Sequence, residues 1–302
     1  MSQTPPVLSL AELLGKACPT ITIIDAGAMD LGHATEGNEH APLLKRKIAK
    51  VIGFEPVKAE CDKLNAKVAA SGSKAEVYLP YAVGDGSRRK FHICNHAMTS
   101  SLYEPNTKLL KLFQNLEELV RVVKTEEMDT KRLDDLPEVA ETDYLKLDIQ
   151  GAELDVLRGA TNLLKRVVVV NTEVEFVPLY KDQPLFADVD TFLRSQGFVL
   201  HSLPACVGRA FKPMQNGRSV NAPFRQSLWA QVTYVKDFTR FHELDADQLL
   251  RIAVIMHEVY LSVDLASLAL YHYDRKTKKG LWEVYVRRLT GAKGELKPPD
   301  ID

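Results

Sequence analysis

Asp25-Ala26-Gly27-Ala28 closes the apolar run that begins at Thr20 with a carboxylate and a glycine. A buried strand that ends this way lies where a doubly wound sheet receives a nucleotide, and a residue without a Cβ lets the backbone approach its ligand. A dinucleotide would require further glycines at GxGxxG spacing. The segment instead continues Met29-Asp30-Leu31 with Gly32 five residues on, which disfavours pyrophosphate binding. The next apolar run, Val51 to Phe54, ends in Glu55-Pro56. The carboxylate can accept two hydrogen bonds from a ribose diol, and the proline stops the strand there. Adenosine without pyrophosphate is the ligand these residues describe, although two solvated strand ends would read the same way.

The block Asp143-Tyr144-Leu145-Lys146-Leu147-Asp148-Ile149-Gln150-Gly151-Ala152-Glu153 is more informative. Leu145, Leu147 and Ile149 share one face of an expected strand, while Lys146, Asp148 and Gln150 share the other. A strand between helical layers is ordinarily apolar on both faces, so the polar face needs a reason. Either it is a solvated edge strand, or a Lys-Asp pair opens onto a cleft at the carboxyl edge of the sheet, and the context favours the cleft. Asn171, Glu173 and Glu175 close the following run at the same edge. Asp148 is the leading candidate for a general base, with Lys146 holding it ionised and Glu173, Asn171 and Glu153 as helpers; a divalent ion on Asp148, Asn171 and Glu173 is the other way of doing that work.

These residues have to be carried by elements. From about 20 to 235, short Val/Ile/Leu-rich runs alternate with longer helical patterns, as in βα units around a mostly parallel sheet. Strands are expected at Thr20–Asp25, Val51–Glu55, Glu76–Leu79, Tyr144–Ile149, Val167–Asn171, Phe198–Leu203 and Leu228–Val235, with helices after Pro42, Val57, Glu153 and Phe186. Gly84-Asp85-Gly86 before Lys90–Cys94 predicts a hairpin, Asn106–Val120 an inserted amphipathic helix, and Pro204–Phe224 a long surface loop beside the substrate. Beyond Phe238 the pattern is helical: Leu249, Ile252, Ala253, Met256, Val259 and Tyr260 recur at helical spacing behind an Asp245–Gln248 capping box. Further helices are expected over Val263–Tyr273 and Leu281–Leu289, separated by a solvated Asp274–Gly280 turn. Packing of this tail on its own sheet is preferred, with a homodimer contact as the alternative.

In the 302 residues, 39 Lys and Arg balance 40 Asp and Glu to a net charge of −1, so no global field recruits a nucleic acid. The 45% hydrophobic content is that of a globular chain. Cys18, Cys61, Cys94 and Cys206 lack paired spacing, which predicts free thiols rather than disulfides or zinc. Met1–Pro6 has neither a basic start nor an apolar h-region, and no run approaches the roughly 18 apolar residues of a span, so a cytoplasmic protein is expected. His92, Cys94 and His96 share a strand face but lack a fourth ligand, and His257 is expected to be structural. Lys45-Arg46-Lys47 and Arg88-Arg89-Lys90 are expected to be solvated, with phosphate of a nucleotide-sugar as their alternative ligand. No Ser-His-Asp order, GxSxG elbow or P-loop occurs, so hydrolase and kinase chemistry lacks its parts.

"IIDAGAM", "VIGFEP", "AVGDG", "SSL" and above all "DYLKLDIQGAELDVLRGA" make the chain from about 20 to 236 resemble the FkbM-type S-adenosylmethionine-dependent methyltransferases. The resemblance implies an α/β, Rossmann-like class I methyltransferase: a seven-stranded, mostly parallel sheet with an antiparallel last strand, here with a C-terminal helical extension. It divides the chain into a helical lead-in (1–19), the methyltransferase domain (20–238) and the extension (239–302). It implies S-adenosyl-L-methionine as cofactor, with Asp25, Gly27 and Ala28 at its amino-acid end, Glu55 at its ribose, the Val83–Asp85 turn at its adenine, and Ser101 of "SSL" also in its site. Met29-Asp30 departs from the Asn and glycine usual there. The implied reaction is O-methyl transfer to a sugar, a glycan precursor or another small metabolite, with Mg²⁺ or Mn²⁺ where a metal is used. The competing readings are a non-catalytic adenosine-binding module whose tail recruits a partner, and a nicotinamide oxidoreductase, which the missing glycines disfavour.

Overall fold

The computed structural model describes residues 8–29, 39–204 and 206–299; Asp30, Gly32 and the first part of the lead-in lie outside them. The strands in chain order are β1 (Ile21–Ala26), β2 (Ala49–Phe54), β3 (Glu76–Leu79), β4 (Ala82–Val83), β5 (Arg88–Cys94), β6 (Val122–Lys131), β7 (Tyr144–Leu147), β8 (Val169–Glu175), β9 (Phe198–Ser202), β10 (Val207–Gly208) and β11 (Ser227–Lys236). The helices are α1 (Leu10–Leu14), α2 (Ala41–Lys45), α3 (Lys58–Ser71), α4 (Thr107–Leu110), α5 (Leu116–Leu119), α6 (Glu153–Arg158), α7 (Leu163–Arg166), α8 (Phe186–Ser195), α9 (Ala246–Glu258), α10 (Val263–Thr277) and α11 (Leu281–Thr290).

The main sheet runs β3-β2-β1-β7-β8-β11, with β9 and the short β10 both on the far side of β11. Strands β1, β2, β3, β7 and β8 pair in parallel, and β11 is antiparallel to β8 and to β9. The expected seven strands and antiparallel last strand are therefore present, and β10 adds an eighth. The fold is the Rossmann-like α/β arrangement, and the order reverses between β1 and β7, whose carboxyl ends carry Gly27 and Asp148.

Each face of the sheet has its own core. On one face Leu145, Leu147 and Val170 meet α6, α7 and α8 through Leu154, Leu157, Leu164 and Leu193. On the other, Ile21, Ile23, Tyr144 and Val169 pack on α1 and on the tail helices. Ile252 to Met256 of α9 are all fully buried, and a helix buried all round is part of a core rather than a surface appendage. The capping box forms as expected, with Gln248 N donating to Asp245 Oδ1 at 2.8 Å. Polar pins hold the tail down: Arg251 Nη1 lies 2.7 Å from buried Asp143 at the start of β7, and Glu258 accepts from Ser9 and the Ala11 amide. His257 is structural, bonded to the Tyr285 hydroxyl and to Leu8 O.

Several local expectations are corrected. Gly84–Gly86 does not close a hairpin between β4 and β5; both instead pair with β6, a mostly exposed strand without an apolar run, in a separate three-stranded sheet. The insert is two short helices rather than one, because Asn115 adopts a left-handed φ of 58° between them. Helix α10 runs on to Thr277, and Asp274 caps the next helix by accepting from Trp282 N rather than standing in a solvated turn. The basic clusters spend charge on ion pairs: Arg46 on Glu258, Arg88 on Glu127, and Arg89 on Asp155. No helix among the described residues is long and apolar enough to cross a membrane.

Candidate active site

Two cavities adjoin at the carboxyl ends of β1 and β7. The first, about 210 Å³, is walled by Phe54, Glu55, Tyr81, Val83, Phe91 and Leu102. The second, about 260 Å³, lies under α4 and α5 and is walled by Leu110, Leu116, Leu119, Leu179, Tyr180 and Trp229. Gly27, Met29, Met98, Asp148 and Gln150 stand in both walls.

The backbone at this junction admits no bulk. Gly27 has φ of +83°, and a Cβ there would lie 1.8 Å from the Asp148 carbonyl oxygen. The Gly27 and Ala28 amides donate to Phe54 O, and the Asp148 amide donates to Ala26 O, so the three strand ends are stitched together. Gln150 takes φ of 59°, a left-handed position that L residues adopt at a cost of about 1–3 kcal/mol. Its surroundings enforce that turn. Ser101 Oγ donates to Gln150 O at 2.6 Å, and the Gln150 Nε2 amide donates to Asp148 Oδ1 at 3.2 Å and Glu173 Oε2 at 2.7 Å. The Tyr180 hydroxyl lies 3.0 Å from Gln150 Oε1.

Charge is concentrated here. Lys146 is buried with its ammonium donating to Asp25 Oδ1 at 2.8 Å; burial works against its charge, but Asp25 first and then Asp148 raise its pKa, so it remains protonated. Burial, then the proximity of Asp148, pushes Glu173 well above the usual carboxylate range, and burial with Glu153 does the same for Glu175. Glu153, buried at the start of α6 and accepting from Ile149 N, is pushed by burial up to about 7. Glu55 is also pushed by burial up to about 7, against the Val57 amide that donates to its Oε1 at 2.7 Å.

Of the residues singled out from sequence, Gly27, Glu55, Val83, Lys146, Asp148, Glu173 and Glu175 line the cavities. The others stand behind the walls. Asp25 is turned to Lys146; Ala28 is buried beneath the strand ends; Ser101 braces Gln150; and Asp85 accepts from Ser87 rather than facing the cavity. The Lys146–Asp148 pair is replaced by Lys146–Asp25, because β1 and β7 pair with Asp25 directly opposite Lys146. The metal set is not assembled. Asn171 faces β11, where its Oδ1 accepts from Gln231 Nε2 at 2.6 Å and its amide donates to Thr233, and no cluster of three His, Cys, Asp or Glu suited to a metal occurs among the described residues. Gln150, Tyr180 and Arg209 enter the site without having been assigned to it from sequence. Gln150 lay in the informative block, but its part depends on the left-handed turn, and Tyr180 and Arg209 arrive from distant segments.

The S-adenosylmethionine expected from sequence fits the first cavity: apolar walls for a base, a buried carboxylate with one oxygen uncommitted to backbone, and Gly27 in the wall. Among solved structures, the chain is similar to magnesium protoporphyrin IX methyltransferase from Synechocystis PCC 6803 with bound SAH, at 10% identity and TM-score 0.37 over 75% of this chain and 78% of that one. It is similar also to precorrin-6y C5,15-methyltransferase from Geobacter metallireducens GS-15, at 10% identity and TM-score 0.37 over 78% and 93%. An rRNA methylase from Streptococcus thermophilus aligns at 12% identity and TM-score 0.31 over 78% and 98%. No curated protein matches. The family model described as "Methyltransferase FkbM domain" matches residues 25–200, more than half of the chain.

Proposed function

The chain belongs to the FkbM methyltransferase family, and from that premise we propose that this S-adenosylmethionine-dependent enzyme methylates a hydroxyl of a small metabolite. The observation that carries the reading is the shared wall: Asp148 and Gln150 stand between a cavity suited to adenosine and a second, apolar cavity. A module that only held adenosine would have no use for the second cavity or for a carboxylate at the junction. The apolar lining of that cavity favours a metabolite with an apolar body over a sugar or glycan precursor, the other acceptors expected from sequence.

Gly27 opens the backbone beside the cofactor's amino-acid end, and Glu55 receives its ribose hydroxyls. The cofactor, when bound, supplies a methyl group on a sulfonium leaving group. What remains for the protein is to orient the acceptor oxygen and take its proton. Fixing the two reactants in line can contribute about 7–11 kcal/mol, and a base about 10²- to 10⁴-fold. Asp148 is the base in this reading. Gln150 aims it by donating to both Asp148 and Glu173, and burial shifts Glu173 toward its neutral form, which limits negative charge beside the reacting oxygen. Residues 20–238 form the catalytic unit, and 239–302 complete its core rather than recruit a partner.

The test is ligand-induced stabilisation. S-adenosylmethionine and S-adenosylhomocysteine at about 100 times their dissociation constant should stabilise the fold by about 2.7 kcal/mol, and NAD should not. Equal shifts with NAD would remove the cofactor assignment, and mass-spectrometric detection of a labelled methyl on carbon or nitrogen of the true product would remove the hydroxyl.

A further inference from the structure

The second cavity contains a cation that no described side chain neutralises. Arg209 follows β10 on the excursion between β9 and β11, and its guanidinium lies over the Trp229 ring, 5.1 Å from the centroid. Nη1 donates to Gly208 O at 2.8 Å and reaches Asn221 O at 3.5 Å, but Nε is buried without a partner. Burial alone acts on its ionisation, lowering its pKa, and no carboxylate offsets that. The side chain is half-buried, and a buried charged donor such as Nε left unmet is costly. The missing anion has space to sit, because Arg209 lines the apolar cavity and also an outer groove with Phe211 and Phe224, and so stands at the mouth between them.

We propose that Arg209 selects the acceptor: a hydroxy compound with an apolar body and a carboxylate, the carboxylate on Arg209 at the mouth and the hydroxyl at Asp148. This rests on the methyl-transfer reading and names its substrate class. A carboxylate suits one guanidinium edge, and among the described residues Arg209 is the cation without an ion pair that reaches the cavity, whereas Arg225 lines only the outer groove. Among the described residues no carboxylate forms an ion pair with Arg209; Glu173 is bonded to Gln150 instead, and burial shifts both Glu173 and Glu175 toward their neutral forms.

The experiment is calorimetry on the full chain saturated with S-adenosylhomocysteine, using 4-hydroxycinnamate and 12-hydroxydodecanoate as probes, each against its primary amide. At least one acid should bind about tenfold or more tighter than its amide, the worth of one charge-assisted hydrogen bond. Arg209→Gln should erase the preference and Arg209→Lys keep part of it, with S-adenosylhomocysteine affinity unchanged in both. If Arg209→Gln fails to bind S-adenosylhomocysteine, Arg209→Met, which keeps an apolar stem at Trp229 but no charge, decides, and a full acid preference there overturns the proposal. It is overturned also if neither acid outbinds its amide while S-adenosylhomocysteine binds. Failure of S-adenosylhomocysteine to bind the wild type would instead remove the methyl-transfer reading, and this inference with it.

Discussion

Glu55 makes cofactor affinity depend on pH in a way that can be worked through. In the free protein burial holds its carboxyl at about 7, so the group is largely ionised at pH 8 and largely protonated at pH 5.5. A ribose diol donates to the anion, and hydrogen bonds to a charged acceptor contribute about 1.5–3 kcal/mol. That preference lowers the carboxyl's pKa in the complex to between about 5 and 6. Binding therefore favours the deprotonated form; affinity is full above pH 7 and falls as pH drops through 7. Between pH 8 and 5.5 the ratio of the two protonation polynomials gives a loss of about 8- to 25-fold. Isothermal titration with S-adenosylhomocysteine at half-unit steps measures it, and Glu55→Gln, which keeps the shape but cannot titrate, should bind more weakly at pH 8 and show a flat profile. A wild-type profile as flat as the variant's, or an equal slope in both, would refute the placement of Glu55 at the ribose.

Three further outcomes follow from the geometry. Asp148→Asn retains the shape of the junction but cannot take a proton, so single-turnover methyl transfer should fall about 10²-fold or more with S-adenosylhomocysteine affinity within about twofold; full turnover would make the polar face of β7 structural. Gly27→Ala places a methyl 1.8 Å from the Asp148 carbonyl oxygen at a φ of +83°, so S-adenosylhomocysteine should lose most of its stabilising effect in a thermal shift, and an unchanged shift would contradict the close approach. Removing residues 241–302 strips Leu249, Ile252, Val254, Ile255 and Met256 from the core. At about 1.5–3 kcal/mol each their loss rivals a domain's whole stability, so the truncated chain should be insoluble or unfolded, and a soluble truncation that binds S-adenosylhomocysteine would show that the tail is dispensable.

The features legible in the sequence are those with local causes. β1, β2 and β7 appear as short apolar runs because they are largely buried, while β3, at the sheet edge, is only half-buried; the strand ends are marked by Gly27, Glu55-Pro56 and Gly151, residues needed for turns or close approach. The cap of α9 is equally visible, since Asp245 and Gln248 satisfy each other within one turn. The alternation through Lys146, Asp148 and Gln150 marks the polar face of the site for the same reason. Which partner each polar group finds is a different matter. Lys146 meets Asp25 across 121 positions because two strands lie side by side in one register, and Asn171 is drawn to β11 because the antiparallel strand places Gln231 and Thr233 beside it. β6 carries no strand pattern in the sequence because its burial is slight and its partners are β4 and β5, in a separate sheet. Arg209 and Tyr180 reach the cavity only when the excursions that carry them fold back over α4 and α5. Local patterning thus determined the sheet, its ligand-facing ends and the presence of an acidic site, while the tertiary structure decided which charges are paired, which acid is left at the junction and which cation waits at its mouth, because those depend on neighbours brought together by non-local register and packing.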